Sequence, residues 1–395
     1  MILGIPIVYN LRNLWVRKVS TGLTVAGIAL AVGVLVVVMM LVHGLRYALV
    51  ASGSPDNAIV LRKSSPSETL SGIPRDSVNV VKTLPEIAVG PEGRSMVTAE
   101  CVVGVNLLRR GQVNARSGSN VTVRGISPES LLLRRQVKII EGRAPEAGKP
   151  EIMAGRNAAA GFKDCQAGGS ISMGGLAWQV VGVFEAGGSS FESELWGDAD
   201  LLMRAFGREG GYSSVTFAMK DPNLDLAAVQ AKFDADPRLN LQIQREQAYY
   251  EASSSALTAL ISTLGGVLIV LFSFGAVMGA MVTMFAFVGS RTREIGTLRA
   301  LGFPRRSILA CFMIESMLLS LAGGLVACVP ALFLQKFTFS TTNFSSFTDV
   351  TWQFRATPAI MVSGLVFALV MGLVGGLIPA VRAARLPIIT ALREA

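Results

Sequence analysis

Histidine is almost missing from this sequence: His43 stands alone in 395 residues. A multi-histidine metal site is therefore excluded, and a Ser–His–Asp triad has one candidate base, placed at the end of a long apolar run. No G-x-x-x-x-G-K-[ST] pattern occurs, so the chain has no phosphate loop of that kind. Charge is scarce as well, at 16% of residues against roughly 25% in an ordinary soluble domain. Cysteine is sparse and forms no C-x-x-C pair. Cys311 and Cys328 sit in an apolar run, and Cys101 and Cys165 sit mid-chain, where a disulfide between them is left open. No basic stripe interleaved with aromatics appears, which argues against nucleic acid. The excess of Lys and Arg, 36 against 27 Asp and Glu, needs another explanation.

What is present is long apolar runs. Val19–Val42 and Ala356–Val381 carry no charge, Ala252–Ser290 carries none, and Ser307–Gln335 carries only Glu315. Each exceeds the roughly 20 residues of helix that cross a bilayer. The start of the second run, ASSSALTALIST, is more polar than the rest, as expected of a stalk outside the membrane that continues into a span. Basic residues collect beside the runs: Arg12, Arg17 and Lys18 before the first; Arg291, Arg293, Arg299, Arg305 and Arg306 between the second and third; Arg382, Arg385 and Arg393 after the fourth. Only Glu294 and Glu394 oppose them. By the positive-inside rule both termini and the connection between the second and third spans are cytoplasmic.

The long insertion has a different composition. Residues 51–251 hold 22 Lys and Arg and 23 Asp and Glu, so the whole positive balance lies outside it. It is large enough to bury its own core. Runs 96–108 and 120–126 read as strands, and 128–134 as a short helix. The pattern predicts a helix over 151–162 (EIMAGRNAAAGF). A hairpin is predicted over 170–185 with Gly174-Gly175 as its turn. Helical spacing recurs over 193–207, where Glu192 and Glu194 fall on a helix start that suits carboxylates. A strand at 213–220, a helix to Phe233 and a strand at 239–244 form a βαβ-like unit, and a similar order occurs over 59–105. The fold class expected is an α-helical membrane protein with four transmembrane helices and a two-lobed α+β extracytoplasmic domain inserted between helices 1 and 2. Residues 126–205 make the second lobe.

The resulting partition is an amphipathic cytoplasmic segment 1–18, helix 1 at 19–45, and the inserted domain 46–251. Stalk and helix 2 follow at 252–290, a cytoplasmic connection at 291–306, and helix 3 at 307–335. The chain closes with a short outer loop 336–355, helix 4 at 356–381 and a tail 382–395. Glu315 is the one charge inside a span and a functional candidate for that reason. In the connection, RTREIGTLRALGFPRRSI, Ile295, Leu298 and Leu301 recur at helical spacing while Arg293, Glu294, Thr297 and Arg299 occupy other faces. Gly302 suits the end of a helix and Pro304 a stop. An exposed helix of this kind is expected to dock in a partner's groove.

REIGTLRALGFPRRSI with Glu315-Ser316 and Gly323-Gly324, together with the ending IPAVRAARLPIITALRE, resembles the MacB/FtsX-type permeases of ABC transporters. The opening NLWVRKVSTGLTVAGIALAV and the inserted pieces VRGISPES, EGRAP, EIMAGRNAAAGF and WQVVGVFE are similar to the same family's MacB-like members. The resemblance implies a non-enzymatic permease subunit of the bacterial inner membrane. It implies a second permease copy, a homodimer being favoured over a heterodimer. It also implies a cytoplasmic ATPase that binds ATP and Mg; because the chain begins at its membrane entry, this ATPase is expected to be separate. No cofactor or metal is expected in the chain itself. The segment Arg293, Glu294, Ile295, Gly296, Leu298, Arg299, Ala300, Leu301 and Gly302 maps onto the coupling helix that rests on the ATPase. The family's mode of action, mechanotransmission, would move the inserted domain to export or extract a lipoprotein, lipid, peptide or drug. Membrane lipids are surroundings, and a periplasmic adaptor and an outer-membrane protein fit the family. The alternative is an ATPase-driven signalling regulator of a periplasmic cell-wall hydrolase or sensor, with no transport. The glycine pairs Gly275/Gly279 and Gly372/Gly376 permit close helix contacts.

Overall fold

The computed structural model describes residues 18–90, 93–111, 118–343 and 348–388. The segment expected to be amphipathic, 1–18, lies outside them but for Lys18, as does the end of the tail, 389–395. Two compact bodies make up the chain. Of the described residues, one comprises 18–43, 259–337 and 354–388, and the other comprises those within Gly44–Thr258 and Thr338–Gln353.

The chain enters through helix α1 (Lys18–Val50) and then builds the inserted domain. Strand β1 (Asn57–Arg62) leads through a 3-10 turn at Glu68–Leu70 to α2 (Arg75–Lys82) and β2 (Val97–Leu107). Next come β3 (Ser119–Ile126), α3 (Pro128–Leu133), β4 (Lys138–Gly142), β5 (Glu151–Gly155) and α4 (Arg156–Gly161). The hairpin β6 (Ser170–Met173) and β7 (Leu176–Glu185) follows, then a 3-10 turn at Ser190–Ser193, β8 (Leu195–Asp198) and α5 (Ala199–Ala205). Strand β9 (Ser214–Ala218), α6 (Leu226–Ala235) and β10 (Leu241–Arg245) close the domain.

One sheet runs through it in the order β10-β1-β9-β2-β3-β8-β5-β7-β4, with β6 beside β7. The two βαβ-like units read from the sequence interleave: β1 lies antiparallel between β9 and β10, and β9 lies antiparallel between β1 and β2. Helices α2 and α6 cover this half, with Val78, Val81, Val229 and Phe233 packed on Val60, Val215 and Phe217. The long β2 joins the halves. Its first residues, Val97–Glu100, pair with β9, and Cys101–Leu107 pair with β3. The second core gathers Val121, Val123, Ile152, Trp178, Val180, Leu195 and Leu202. Gly174 and Gly175 turn the β6–β7 hairpin with φ of 58° and 74°, the left-handed backbone that a two-residue type I′ loop requires.

Two helix expectations are corrected. EIMAG is strand β5, and only RNAAAG is helical; LWGD is strand β8 ahead of α5. Both strands are central and nearly wholly buried, so neither shows the polar alternation that marks a half-exposed strand. The outer loop expected at 336–355 contains an antiparallel pair, β11 (Thr338–Asn343) and β12 (Thr348–Gln353). That pair belongs to the inserted domain's body. Thr122 donates to Thr348 at 2.8 Å, Arg109 meets Asp349 at 2.5 Å, and the Thr351 N–H donates to Ser193.

The other body is helical. Helix α7 (Glu246–Ser290), which enters this body at Ala259, is one unbroken run of 45 residues, so the polar start and the apolar remainder of the second run form a single helix. Helix α8 (Thr292–Ala300) follows, then α9 (Arg305–Leu334) and α10 (Pro358–Arg385). The stretches Thr21–Val50, Leu257–Ser290, Arg305–Leu334 and Pro358–Arg385 are each long and apolar enough to cross a membrane. Lipid offers little hydrophobic drive between such helices, so small residues set the contacts. The Ser316 hydroxyl donates to the Gly372 carbonyl at 2.7 Å. A Cβ added at Gly376 would lie 2.5 Å from the Ser316 Cβ. The pair Gly372/Gly376 thus packs α10 on α9. A Cβ added at Gly275 or Gly279 would meet nothing within 4 Å, and both glycines line an open groove with Gly27 and Thr24 of α1.

Candidate coupling segment and buried charge cluster

Helix α8 is nine residues long, too short to stand alone in water. Its outer end closes as expected. Gly302 has φ +93°, the Phe303 N–H donates to the Leu298 carbonyl at 3.1 Å, and the Gly302 N–H donates to the Arg299 carbonyl at 3.2 Å. This pairing is a Schellman motif. Its apolar face divides in two. Ile295 and Gly296 are buried, and Leu298 is half-buried, in a core with Met284, Phe287, Ile308, Phe312 and Ala380. Leu301 is 72% exposed. Arg293, Glu294, Thr297, Ala300 and Gly302 are exposed too, while Arg299 is half-buried and reaches the Phe303 carbonyl. Ile295, Leu298 and Leu301, which recur at helical spacing, thus do not share one environment. The first two hold α8 to its own bundle, and the free rim is Arg293, Glu294, Thr297, Ala300 and Leu301.

Glu315 lies inside α9 at 1% exposure. Its Oε2 accepts from Arg291 Nη1 at 3.1 Å, and Arg291 is the residue between α7 and α8. The lone acid of the spans is thus paired with the first basic residue of the connection.

A second concentration of charge went unrecognised in the sequence. In the inserted domain Arg124 of β3 is buried and gives its whole fork to carboxylates. Nε and Nη2 grip Glu194 at 2.8 and 3.0 Å, Nη1 and Nη2 grip Glu68 at 2.9 and 3.1 Å, and Nη1 also reaches Glu100 at 2.9 Å. Arg134, which ends α3, holds both oxygens of Glu100 and reaches Glu246 at 3.4 Å. Both guanidiniums lie over the Phe191 ring, at 5.2 and 5.0 Å. Glu246 accepts from the Ser54 N–H and from Asn57 Nδ2, at 3.0 and 2.9 Å. Ser214 donates to Glu68, and Trp196 Nε1 donates to Glu194. Glu194 therefore serves this cluster and not a helix dipole.

Burial by itself would raise the Glu100 carboxyl, but Arg134 and Arg124 outweigh it and hold the group below its usual range. At Glu246 burial wins over Arg134, the Ser54 N–H and Asn57, and the carboxyl is pushed up. Burial also pushes up the Tyr249 and Tyr250 hydroxyls, with Glu68 adding to the effect. Glu246 is the first residue of α7, so the cluster grips the helix at its root. Gly53 allows the adjoining chain to come close: a Cβ there would stand 2.7 Å from the Gln247 backbone. The signal available in the sequence was Glu100 and Arg124 embedded in the β-branched runs VTAECVV and VTVRGI.

Cys101 and Cys165 are free thiols in one apolar core. Burial pushes them up to about 11 and about 12. Among the described residues no group of His, Cys, Asp or Glu could hold a metal ion.

A family model described as FtsX-like permease C-terminal matches residues 266–388. Another, described as MacB-like periplasmic core domain, matches residues 21–236, more than half of the chain. The chain belongs to the MacB/FtsX-type ABC transporter permeases. It is similar to the uncharacterized ABC transporter permease YknZ of Bacillus subtilis, 26% identical over 97% of each chain. It is also similar to the pyoverdine export ATP-binding/permease protein PvdT of Pseudomonas syringae pv. tomato, 27% identical over 96% of this permease and 58% of that protein. The extracellular domain of the noncanonic ABC-type transporter YknZ from Gram-positive bacteria matches 48% of this permease and 99% of that chain at 16% identity, with a TM-score of 0.34. Permeases of this family are non-catalytic subunits, and membership implies a cytoplasmic ATPase partner.

Proposed function

We propose that this permease couples ATP hydrolysis by a separate cytoplasmic ATPase to movement of its inserted domain, exporting or extracting an amphipathic substrate such as a lipoprotein, lipid, peptide or drug. The exposed rim of α8, Arg293, Glu294, Thr297, Ala300 and Leu301, carries the reading. A nine-residue helix buries one face in its own bundle and leaves Leu301 open beside basic side chains, as a docking element does. The basic flanks support a topology with this helix and both termini on the cytoplasmic side and the inserted domain in the periplasm. The match to nearly all of YknZ, named a permease, and to just over half of PvdT, named an ATP-binding/permease protein, supports an ATPase on another chain. ATP and Mg then belong to that partner. The transporter contains two permease copies, homodimeric in the simplest case. Mechanotransmission needs no polar tunnel, and the spans carry one acid, already paired.

The test is ATP hydrolysis by the purified permease, alone and with its ATPase. Activity is expected only in the pair. Burying Leu301, 72% exposed, gives about 1–2 kcal/mol, so Leu301→Asp should weaken ATPase capture roughly 5- to 30-fold. Hydrolysis by the permease alone, or unaltered capture by L301D, refutes the reading.

A further inference from the structure

We propose that the Glu315–Arg291 ion pair latches α8 to α9, which makes both side chains positioning residues for the coupling rim; the inference rests on the function proposed above. Arg291 joins three elements. Its N–H donates to the Val288 carbonyl at the end of α7, and its own carbonyl accepts from the Ile295 N–H, the first turn of α8. Its guanidinium donates to Glu315, ten residues into α9. The Thr292 hydroxyl ties the first residue of α8 to the Gly289 carbonyl of α7 at 2.9 Å and not to α9, and the seating of Ile295 and Leu298 in the apolar core is non-directional and allows the helix to roll or slide against α9. A charged hydrogen bond has a direction and a length, so it fixes where the first turn sits against α9.

Stability alone does not call for this pair. A charge within a span is costly, and an apolar pair of similar volume commonly holds a buried site as well or better. A proton relay would need a further acid, and the four spans contain no Asp or Glu besides Glu315. What the ion pair adds is registration. A push on the rim of α8 then reaches α9 as a displacement, where an unlatched α8 would absorb it by rocking.

The experiment is hydrogen–deuterium exchange of the full-length permease in lipid nanodiscs, comparing wild type, Glu315→Gln, the double variant R291M/E315M and the exchanged pair R291E/E315R. The double methionine variant leaves no unpaired ion, so it decides the matter if Glu315→Gln does not fold. We expect amides of residues 295–302 to exchange at least about tenfold faster in Glu315→Gln and in R291M/E315M, with those of α1, α9 and α10 unchanged. The exchanged pair should restore protection to within about twofold. Unchanged protection of α8 in R291M/E315M overturns the proposal. So does loosening spread equally through α9 and α10, which marks a general structural role, or failure of the exchanged pair to restore protection. Capture of the partner ATPase by the wild-type permease is scored separately. Its failure beside the expected exchange pattern refutes the coupling function and leaves the latch standing.

Discussion

Replacing Arg124 by methionine removes five hydrogen bonds to three buried carboxylates while keeping most of the side-chain volume. Glu100 retains Arg134, but Glu68 and Glu194 lose the cation that faces them. Leaving one buried charge without its partner costs about 3–5 kcal/mol. With two carboxylates orphaned, the loss falls at the upper end, about 5 kcal/mol. That rivals the whole stability of many domains, roughly 5–15 kcal/mol. The assay is urea unfolding of the full-length permease in detergent, read by tryptophan fluorescence. Trp178 and Trp196 are fully buried in the inserted domain, and Trp196 donates to Glu194 itself. With a denaturant slope of about 2–3 kcal/mol per molar, the midpoint should fall by about 2 M. Adding Glu68→Gln and Glu194→Gln should recover part of the loss, because the cost is uncompensated charge and not lost volume. Lys63→Met is the control; its pair with Asp234 is half-exposed on both sides, and it should shift stability by less than about 1 kcal/mol. A shift for Arg124→Met no larger than this control refutes the reasoning.

Three further outcomes are expected. Gly376→Ala should lower the thermal midpoint of the helical body, by about 1–3 kcal/mol of overpacking against Ser316, whereas Gly279→Ala, with open space around it, should leave that midpoint unchanged. The hydrogen bonds from Arg143, then the Glu146 N–H, hold Glu151 at about 2 against an ordinary 4.5. Its contribution is complete above pH 4.5 and is lost as pH falls through about 2. Discounted for a half-exposed Arg143, it amounts to about 1 kcal/mol, so Glu151→Gln should flatten the acid limb of the domain's urea-stability profile by that amount. Cys101 and Cys165, buried with raised pKa values, should resist maleimide at pH 7 until the domain is unfolded, and rapid native labelling would contradict their burial.

The spans were legible because a bilayer demands a composition that little else tolerates, and the end of α8 because Gly302 and Pro304 mark it locally. The interleaved βαβ units could be read as order but not as sheet position, since pairing β1 between β9 and β10 depends on residues about 150 to 190 apart. Strands β5 and β8 misled because a doubly buried strand has no period of two to read. The charge cluster was opaque for a related reason. Arg124 and Glu68 lie 56 residues apart, and Arg134 and Glu246 lie 112 apart; nothing local pairs them. The face of α8 was legible only in part, because spacing shows that Ile295, Leu298 and Leu301 are near one another, but not that their own bundle claims the first two.

Helix α7 connects these observations. Its first residue, Glu246, is held in the ionic cluster of the inserted domain, and the residue after its last, Arg291, is held by Glu315. From Glu246 to Ser290 the helix runs 45 residues without a proline. Kinks in helices arise at proline, at glycine and serine pairs, at π-bulges or where a side chain interrupts the hydrogen-bond ladder; the helix holds no proline but does hold Gly265-Gly266. On the function proposed above, α7 is the element that would carry movement, because a directional contact holds each of its ends. Only one of these contacts had a signal in the sequence, the lone carboxylate Glu315 inside a span; the other, Arg134 with Glu246, joins residues 112 positions apart.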